Sequence, residues 1–245
     1  MNSYGIKDFH IINFTEIDST STYLKTHFEA LPNLTAVFAS FQVSGHGRLN
    51  RQWMATKCES ILFSLLIKDK KIIKNFPKLS LLAAVAVFNL LNRYVEGVSI
   101  KWPNDVYING KKACGILLES KSIDYEINSL VLGIGININT SSFDDSIKDI
   151  ATSLYRETNQ KYDLDVIKKE LLQCLLDVLN QILKDDNSYL GIVRQNNYLK
   201  DKEVYAYINN EYVDVLVIDI NDDNTLLVKH NDKFYNLSVG EVVKK

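Results

Sequence analysis

The chain has few of the residues that mark metal-bound, disulfide-linked or strongly charged proteins. Its 245 residues include three cysteines, which are widely spaced and form no CxxC pair, so a disulfide framework is excluded. The four histidines also lack the spacing of zinc ligands. A formal net charge of -2 gives no reason to expect nucleic acid as a partner. These absences indicate a reducing compartment, and we expect the cytoplasm.

Long apolar runs are absent as well. The first ten residues are mixed and polar, which is not typical of a secretory signal. The longest apolar run, residues 79–91, contains Ser80 and Asn89 and is shorter than the roughly 20 residues that a bilayer span requires. We therefore predict a buried helix there and no membrane association.

Hydrophobic periodicity divides the chain into two regions with different patterns. Up to about residue 198, strand-like runs alternate with amphipathic helical patterns, whereas short alternating strands separated by NNE, NDDN and ND turns follow Lys200. We predict an α/β (α+β) domain over residues 1–198, an open mixed sheet with helices on one face. A small SH3-like β barrel is predicted over residues 199–245.

Within the larger domain the patterns predict individual elements. Predicted strands cover residues 9–17, 35–41, 61–67, 98–102, 106–108 and 130–138. Predicted helices start at residues 18–20 and cover residues 79–94 and 163–185. The dipeptide Asn109-Gly110 predicts a tight hairpin with a return strand from Lys111.

One polar loop, residues 42–53 (QVSGHGRLNRQW), has the composition of an anion-binding site. Glycines allow close backbone approach, and arginine forks match phosphate or carboxylate. The alternative is a surface loop with two solvated arginines, which is common. The residues of this loop leave that choice open.

A second informative segment is KWPNDVYINGKKACGILLE, residues 101–119. Pro103 stiffens a turn that presents Asn104 and Asp105, although an aspartate in a turn is more often a cap. Lys112 directly precedes the small residues Ala113-Cys114-Gly115, beside which a ligand could pack. Lys111 is interpreted as a solvated charge. No Walker phosphate loop is present.

Four segments in order resemble the biotin protein ligase family along nearly the whole chain. They are residues 17–20 (IDST), 45–53 (GHGRLNRQW), 101–119 and 133–139 (GIGININ). The resemblance implies a catalytic domain of the class II synthetase-like biotin/lipoate ligase type. It also implies two steps, in which biotin and Mg²⁺-bound ATP form biotinyl-AMP and pyrophosphate, and an acceptor lysine then takes the biotinyl group.

The resemblance also implies roles for residues at matching positions. The implied catalytic residues are Lys112, Arg48, Arg51 and Asp105. The implied biotin-binding residues are Ser19, Thr20, Ser21, Gln42, Gly45, His46, Gly47, Arg48, Lys112 and Gly115. The implied ATP- and adenylate-binding residues are Arg48, Arg51, Trp53, Asn104, Asp105, Lys112 and Asn137. No protein-only metal site is expected, because magnesium would arrive with ATP. Ser19 and Thr20 also fit an interpretation as helix caps, and Trp53 and Trp102 fit packing anchors.

Three positions depart from the family pattern. His46 replaces an arginine and removes a permanent charge, so retention of the intermediate is expected to be weaker or pH-sensitive. Asn50 replaces a glycine, a change we interpret as mild because asparagine tolerates left-handed backbone. Ser21 replaces an asparagine.

The expected partner is the biotin carboxyl carrier domain of a biotin-dependent carboxylase. Because the chain begins close to the catalytic segment, we expect the short class without a DNA-binding domain and no binding to DNA. A monomer and a homodimer both remain open. The alternatives are a lipoate or octanoate ligase, and a non-catalytic biotin-binding or regulatory module.

Overall fold

A computed structural model describes residues 3–208, 210–238 and 243–244 and contains two β-sheets with helices packed on the larger one. The strands are β1 (His10–Phe14), β2 (Thr35–Ala39), β3 (Ser60–Ile67), β4 (Val98–Lys101), β5 (Asp105–Ile108), β6 (Lys111–Ile123), β7 (Glu126–Asn137), β8 (Glu203–Ile208), β9 (Glu211–Ile220), β10 (Leu226–His230), β11 (Lys233–Leu237) and β12 (Val243–Lys244). The helices are α1 (Thr20–His27), α2 (Lys70–Lys74), α3 (Phe76–Leu91), α4 (Leu154–Thr158), α5 (Leu164–Leu183) and α6 (Tyr189–Gln195).

The larger sheet has seven strands in the order β1-β2-β3-β7-β6-β5-β4. Only β1 and β2 pair in parallel, and all other neighbours are antiparallel. At its centre β3 pairs with β7 over the whole length of β3, and every residue of β3 is buried. Together with the small antiparallel sheet, this mixed sheet confirms the predicted α+β fold class.

Helices cover both faces of the large sheet, so the prediction of helices on one face is wrong. The main core, which includes residues of α3 and α5, packs on one face. On the opposite face α1 contributes Leu24 and Phe28 to a smaller cluster with Val37, Leu66 and Val131. Because side chains alternate along a strand, fully apolar strands such as β3 present apolar groups to both faces and can bury helices on each.

Local sequence signals set several element boundaries as predicted. Asp163 caps α5 by accepting a hydrogen bond from the Asp165 amide, and Asn109 and Gly110 take the left-handed conformations of a tight hairpin turn. The first strand is shorter than predicted and ends at Phe14. The helix predicted from residue 79 begins at Phe76, where Pro77 occupies the first turn. Helices α2, α4 and α6 were not predicted.

The C-terminal strands form a five-stranded antiparallel sheet in the order β11-β10-β9-β8-β12. Its buried residues belong to the same hydrophobic cluster as α3 and α6. The Trp102 indole donates a hydrogen bond of 3.0 Å to the Asn224 carbonyl, and the Tyr189 hydroxyl contacts the Asn224 side chain at 2.6 Å. Trp102 is therefore the packing anchor that its sequence context suggested. The domain boundary at residue 198 stays a prediction.

In the part of the chain that the structure describes, no helix combines the length and apolar character needed to cross a membrane.

Candidate active site

The floor of the candidate site is the sheet face that also carries α1. On β7, Gly133 and Gly135 share this face with Val131, while the intervening residues point into the main core. The ring of Trp53 lies directly on the strand there, since a Cβ added at Gly135 would lie 2.4 Å from Trp53 Cε2. A Cβ at Gly115 on β6 would lie 2.9 Å from the same ring. The glycines therefore create the space in which the indole packs.

One end of the site is a buried network of hydroxyl groups and one amide. Ser64 contacts the Thr20 hydroxyl at 2.7 Å and the Ser21 hydroxyl at 2.8 Å. The Gln42 side-chain oxygen accepts from the Thr20 amide at 2.8 Å and from the Thr20 hydroxyl at 3.0 Å. Ser19 caps α1 by accepting from the Thr22 amide at 3.3 Å, whereas the Thr20 hydroxyl takes no part in capping. Hydroxyls both donate and accept, so this end can match a polar ring group.

The arginine loop folds back on itself as a short hairpin beside this network. The Trp53 amide donates to the Gly45 carbonyl at 2.9 Å, and the Gly47 amide donates to the Arg51 carbonyl at 2.7 Å. The turn between them is a 3₁₀ segment, Arg48–Asn50, in which Leu49 has φ 55° and ψ 35°. The left-handed residue of this turn is therefore Leu49.

Gly45, one of the predicted biotin-binding residues, packs within the loop, and its role in binding stays a prediction. It is buried under the hairpin, where an added Cβ would lie 3.0 Å from Gln42 Nε2 and 3.0 Å from the Trp53 carbonyl oxygen. Its role is a close approach of the loop backbone to Gln42.

Charged groups gather at the other end of the site. Lys112 Nζ lies 2.7 Å from Asp105 Oδ1, and it also lies 5.9 Å from the centre of the Trp53 ring. Arg48 Nη1 donates to Asn104 Oδ1 at 3.2 Å. Asn104 in turn donates to the Ile116 carbonyl at 2.6 Å, which fixes its orientation against β6. Arg48 and Lys112 thus reach this end from different parts of the chain, each held by a neighbour from the KWPND segment.

Asn137 closes the site near the end of β7. Its side chain is 5% exposed, and Nδ2 donates to the Thr152 carbonyl at 3.0 Å. That bond leaves the side-chain oxygen to accept from another donor.

His46 takes part in a charged contact that the sequence did not predict. Its Nε2 lies 3.7 Å from Glu119 Oε2, and the other oxygen of Glu119 pairs with Lys25 Nζ at 2.7 Å. The contact links the arginine loop to β6 and α1. It is an ion pair only when His46 is protonated.

These groups surround one cavity of about 690 Å³, within the size range of small-molecule sites. All of the predicted site residues except Gly45 line it: Ser19, Thr20, Ser21, Gln42, His46, Gly47, Arg48, Arg51, Trp53, Asn104, Asp105, Lys112, Gly115 and Asn137. Segments that are distant in sequence therefore meet at a single site.

Several wall residues were not predicted, and Ser64 is the most informative of them. Ser64 is fully buried and is the one polar residue between Ile61 and Ile67. A lone polar residue in an apolar strand indicates a polar contact, and this signal could have identified it. Tyr107, Tyr198 and Asp149 also line the cavity, and no local pattern marked them. Burial raises the pKa of Tyr107, and the charge of Asp105 raises it further, so this hydroxyl stays protonated.

No metal site is built from protein groups in the described ranges 3–208, 210–238 and 243–244, since no three His, Cys, Asp or Glu side chains there are arranged to hold an ion.

Residues 13–137 match the family model described as the biotin/lipoate A/B protein ligase family. The chain is 40% identical over 147 residues to the bifunctional ligase/repressor BirA of Bacillus spizizenii, a match that covers 58% of this chain and 45% of the relative. It is 32% identical over 124 residues to the biotin–[acetyl-CoA-carboxylase] ligase of Paracoccus denitrificans, which covers 49% of this chain and 51% of that one. The chain thus spans about half of the length of these curated relatives.

A solved structure resembles the chain over nearly its whole length. It is the biotin protein ligase from Aquifex aeolicus in complex with biotin and ATP, with a TM-score of 0.85 and 27% sequence identity. The similarity covers 95% of this chain and 97% of that one.

Proposed function

Because the chain belongs to the biotin/lipoate A/B protein ligase family, we propose that it is a biotin protein ligase using Mg²⁺-bound ATP. The biotin carboxylate attacks the α-phosphate, and the bond to pyrophosphate breaks, which yields biotinyl-AMP. The amine of an acceptor lysine then attacks the biotinyl carbonyl carbon, loses a proton, and AMP leaves. The observation that carries this proposal is the single cavity that joins a buried hydroxyl-amide network to a cluster of cations.

The hydroxyl-amide end suits the ureido ring of biotin. A ureido group has one carbonyl acceptor and two N–H donors, so its pocket needs groups of both kinds. Ser21, Ser64 and Thr20 supply hydroxyls, and Gln42 supplies an amide. All three hydroxyl residues are at most 6% exposed, which strengthens each hydrogen bond to the ligand because water is excluded. Trp53 covers the glycine floor and shields the chain of biotin.

The cationic end suits the two anions that must react. Bringing a carboxylate to a phosphate requires positive groups that offset their repulsion and the charge that grows on the α-phosphate. Lys112, Arg48 and Arg51 are the proposed cations. The ammonium of Lys112 lies 2.7 Å from Asp105 Oδ1, and this ion pair holds it in place. An ammonium has three N–H donors, so Lys112 can donate to both the carboxylate and the phosphate.

The adenylate is proposed to extend toward Asn137. With its Nδ2 bound to the Thr152 carbonyl, the side-chain oxygen of Asn137 is set to accept from the exocyclic amine of adenine. Asn104 serves a positioning role, because it holds Arg48 through the bond between their side chains.

The proposed acceptor is a biotin carboxyl carrier domain of a biotin-dependent carboxylase. We also propose that a catalytic domain over residues 1–198 precedes the C-terminal β module. Action in the cytoplasm and the lack of DNA binding stay predictions, and monomer and homodimer remain alternatives.

The test incubates the protein with biotin, Mg²⁺-ATP and a purified biotin carboxyl carrier domain, and follows pyrophosphate and acceptor mass. We expect pyrophosphate release that depends on biotin, with a mass gain of one biotinyl group on one lysine. Replacing biotin by lipoate or octanoate is the specificity control and should give neither product. Biotin binding without pyrophosphate release would contradict the proposal and favour a binding or regulatory module.

A further inference from the structure

Three exposed apolar side chains stand around the cavity on two different loops. Leu49 and Met54 belong to the arginine loop and the residues that follow it, and Ile150 belongs to the segment between β7 and α4. Their exposures are 68% for Leu49, 43% for Met54 and 64% for Ile150. Met54 and Ile150 line the cavity, and Leu49 lies between Arg48 and Arg51, which line it too. We call these three residues the apolar rim.

Leu49 is the least expected member of the rim. Its backbone is left-handed, with φ 55°, a conformation that is unfavourable for a residue with a Cβ. Most of its side chain faces solvent, so packing inside this chain does little to offset the strain. Strained residues of this kind cluster where a protein contacts a ligand or partner, and exposed apolar groups around a site mark interaction surfaces. Both features point to a contact with a group from outside the chain.

We propose that the apolar rim, with Leu49 as its principal residue, docks the acceptor segment that carries the target lysine through apolar residues beside that lysine. This inference rests on the proposed ligase function. A lysine carries its amine on a four-carbon stem, so the stem must enter the cavity while the acceptor backbone stays at the rim. In the proposed function biotin and ATP fill the cavity itself, and Leu49 is not among the residues that line it. The acceptor segment is thus the reactant that the rim faces.

The test measures docking separately from chemistry in the second step, the transfer of the biotinyl group to the acceptor lysine. Protein preloaded with biotinyl-AMP is mixed with increasing concentrations of a biotin carboxyl carrier domain, and the single-turnover transfer rate is measured. The same preloaded protein is mixed with hydroxylamine, a small nucleophile that takes the biotinyl group without docking. Leu49→Asn removes the apolar group but tolerates the left-handed backbone, and Leu49→Met keeps an apolar side chain.

We expect Leu49→Asn to lower the second-order rate constant for transfer to the carrier domain about 10-fold, which corresponds to about 1.4 kcal/mol. Leu49→Met should stay within about twofold of the natural protein, and transfer to hydroxylamine should be unchanged in both variants. The matched control is Val166→Asn, which changes a 46% exposed valine on α5, on the other face of the sheet, and should have no effect.

A double-mutant cycle tests the identity of the contact. Serine replaces the apolar residues next to the target lysine of the carrier domain. This replacement should lower the rate constant for transfer less with Leu49→Asn than with the natural protein, because Leu49→Asn has already removed the side chain that those residues contact. Additive losses would show that Leu49 does not contact this segment.

Other outcomes overturn the inference and remain distinct from failure of the ligase proposal. If Leu49→Asn lowered the transfer rate equally with hydroxylamine and with the carrier domain, Leu49 would support the adenylate site instead. A shift from dimer to monomer in light scattering, with unchanged transfer, would assign the rim to a second copy of the chain. If the natural protein forms no biotinyl-AMP, the ligase proposal itself is wrong.

Discussion

The contact between Gly135 and Trp53 allows the sharpest test of the candidate site. In Gly135→Ala the new methyl carbon would lie 2.4 Å from Trp53 Cε2 and 2.7 Å from both Cζ2 and Nε1. Carbon atoms pack at about 3.5–4.0 Å, so the indole must move by about 1 Å. The same ring also lies close over Gly115, where an ideal Cβ would fall 2.9 Å from Trp53 Cζ3, so no free space is left between the ring and the sheet. The ring must therefore shift into the cavity.

A displacement of this size near reacting groups costs about 100-fold in rate, because the reactants no longer align. We expect Gly135→Ala to lower biotin-dependent pyrophosphate release by about that factor, with a smaller effect on thermal unfolding. The assay is initial-rate pyrophosphate release at saturating ATP and increasing biotin, together with a melting curve for each variant.

Two further variants make the reasoning refutable. Gly191→Ala on α6 is the matched control, since an added Cβ there meets nothing within 4 Å, and it should keep the natural rate. Trp53→Leu removes the ring, so adding Gly135→Ala to that variant should cost little more. A natural rate for Gly135→Ala, or equal losses in the two alanine variants, would refute the proposed packing of Trp53 on the strand.

Three other predictions follow from the same site and from cysteine burial. Lys112→Ala should lower pyrophosphate release at least about 10-fold, as loss of an oxyanion-type donor does, while Lys111→Ala, outside the cavity wall, should not; equal rates for both would contradict the role of Lys112. His46→Arg should slow biotinyl-AMP release, because arginine carries a permanent charge beside Glu119; equal release rates in the two proteins would exclude a role for His46. Only Cys58 is exposed, and burial raises the pKa of both other thiols, which disfavours their thiolates, so maleimide near neutral pH should modify Cys58 alone in the folded protein; peptide mass mapping that finds a second labelled thiol would contradict this.

Much of the local structure could be predicted because its causes lie within a few residues. The Asn109-Gly110 turn and the Asp163 cap depend on the conformations and hydrogen bonds of those residues themselves. The buried strand around residues 61–67 followed from its continuous apolar character. The resemblance then named 14 of the residues that line the cavity, fewer than half of them.

The features that could not be predicted have a common physical cause. Leu49 takes the left-handed conformation because of how the hairpin closes through the backbone bonds of Gly45 and Gly47, not because of its own preference. Gly45 packs within the loop because the Gln42 side chain and the Trp53 carbonyl group both approach its backbone closely. Ser64 was missed because a serine in an apolar strand has meaning only once its partners across the structure are known.

The chemical groups, the order of the elements and the tight turns depend on composition and on neighbours along the chain, so they could be predicted. The common face of α1 and the arginine loop, and the pairing of Lys112 with Asp105 beneath Trp53, exist only in the folded chain. Strand register explains this difference. Side chains alternate between faces with a period of two residues, so the face of Gly133, Gly135 and Ser64 is set by pairing between β3 and β7, which are far apart in the chain.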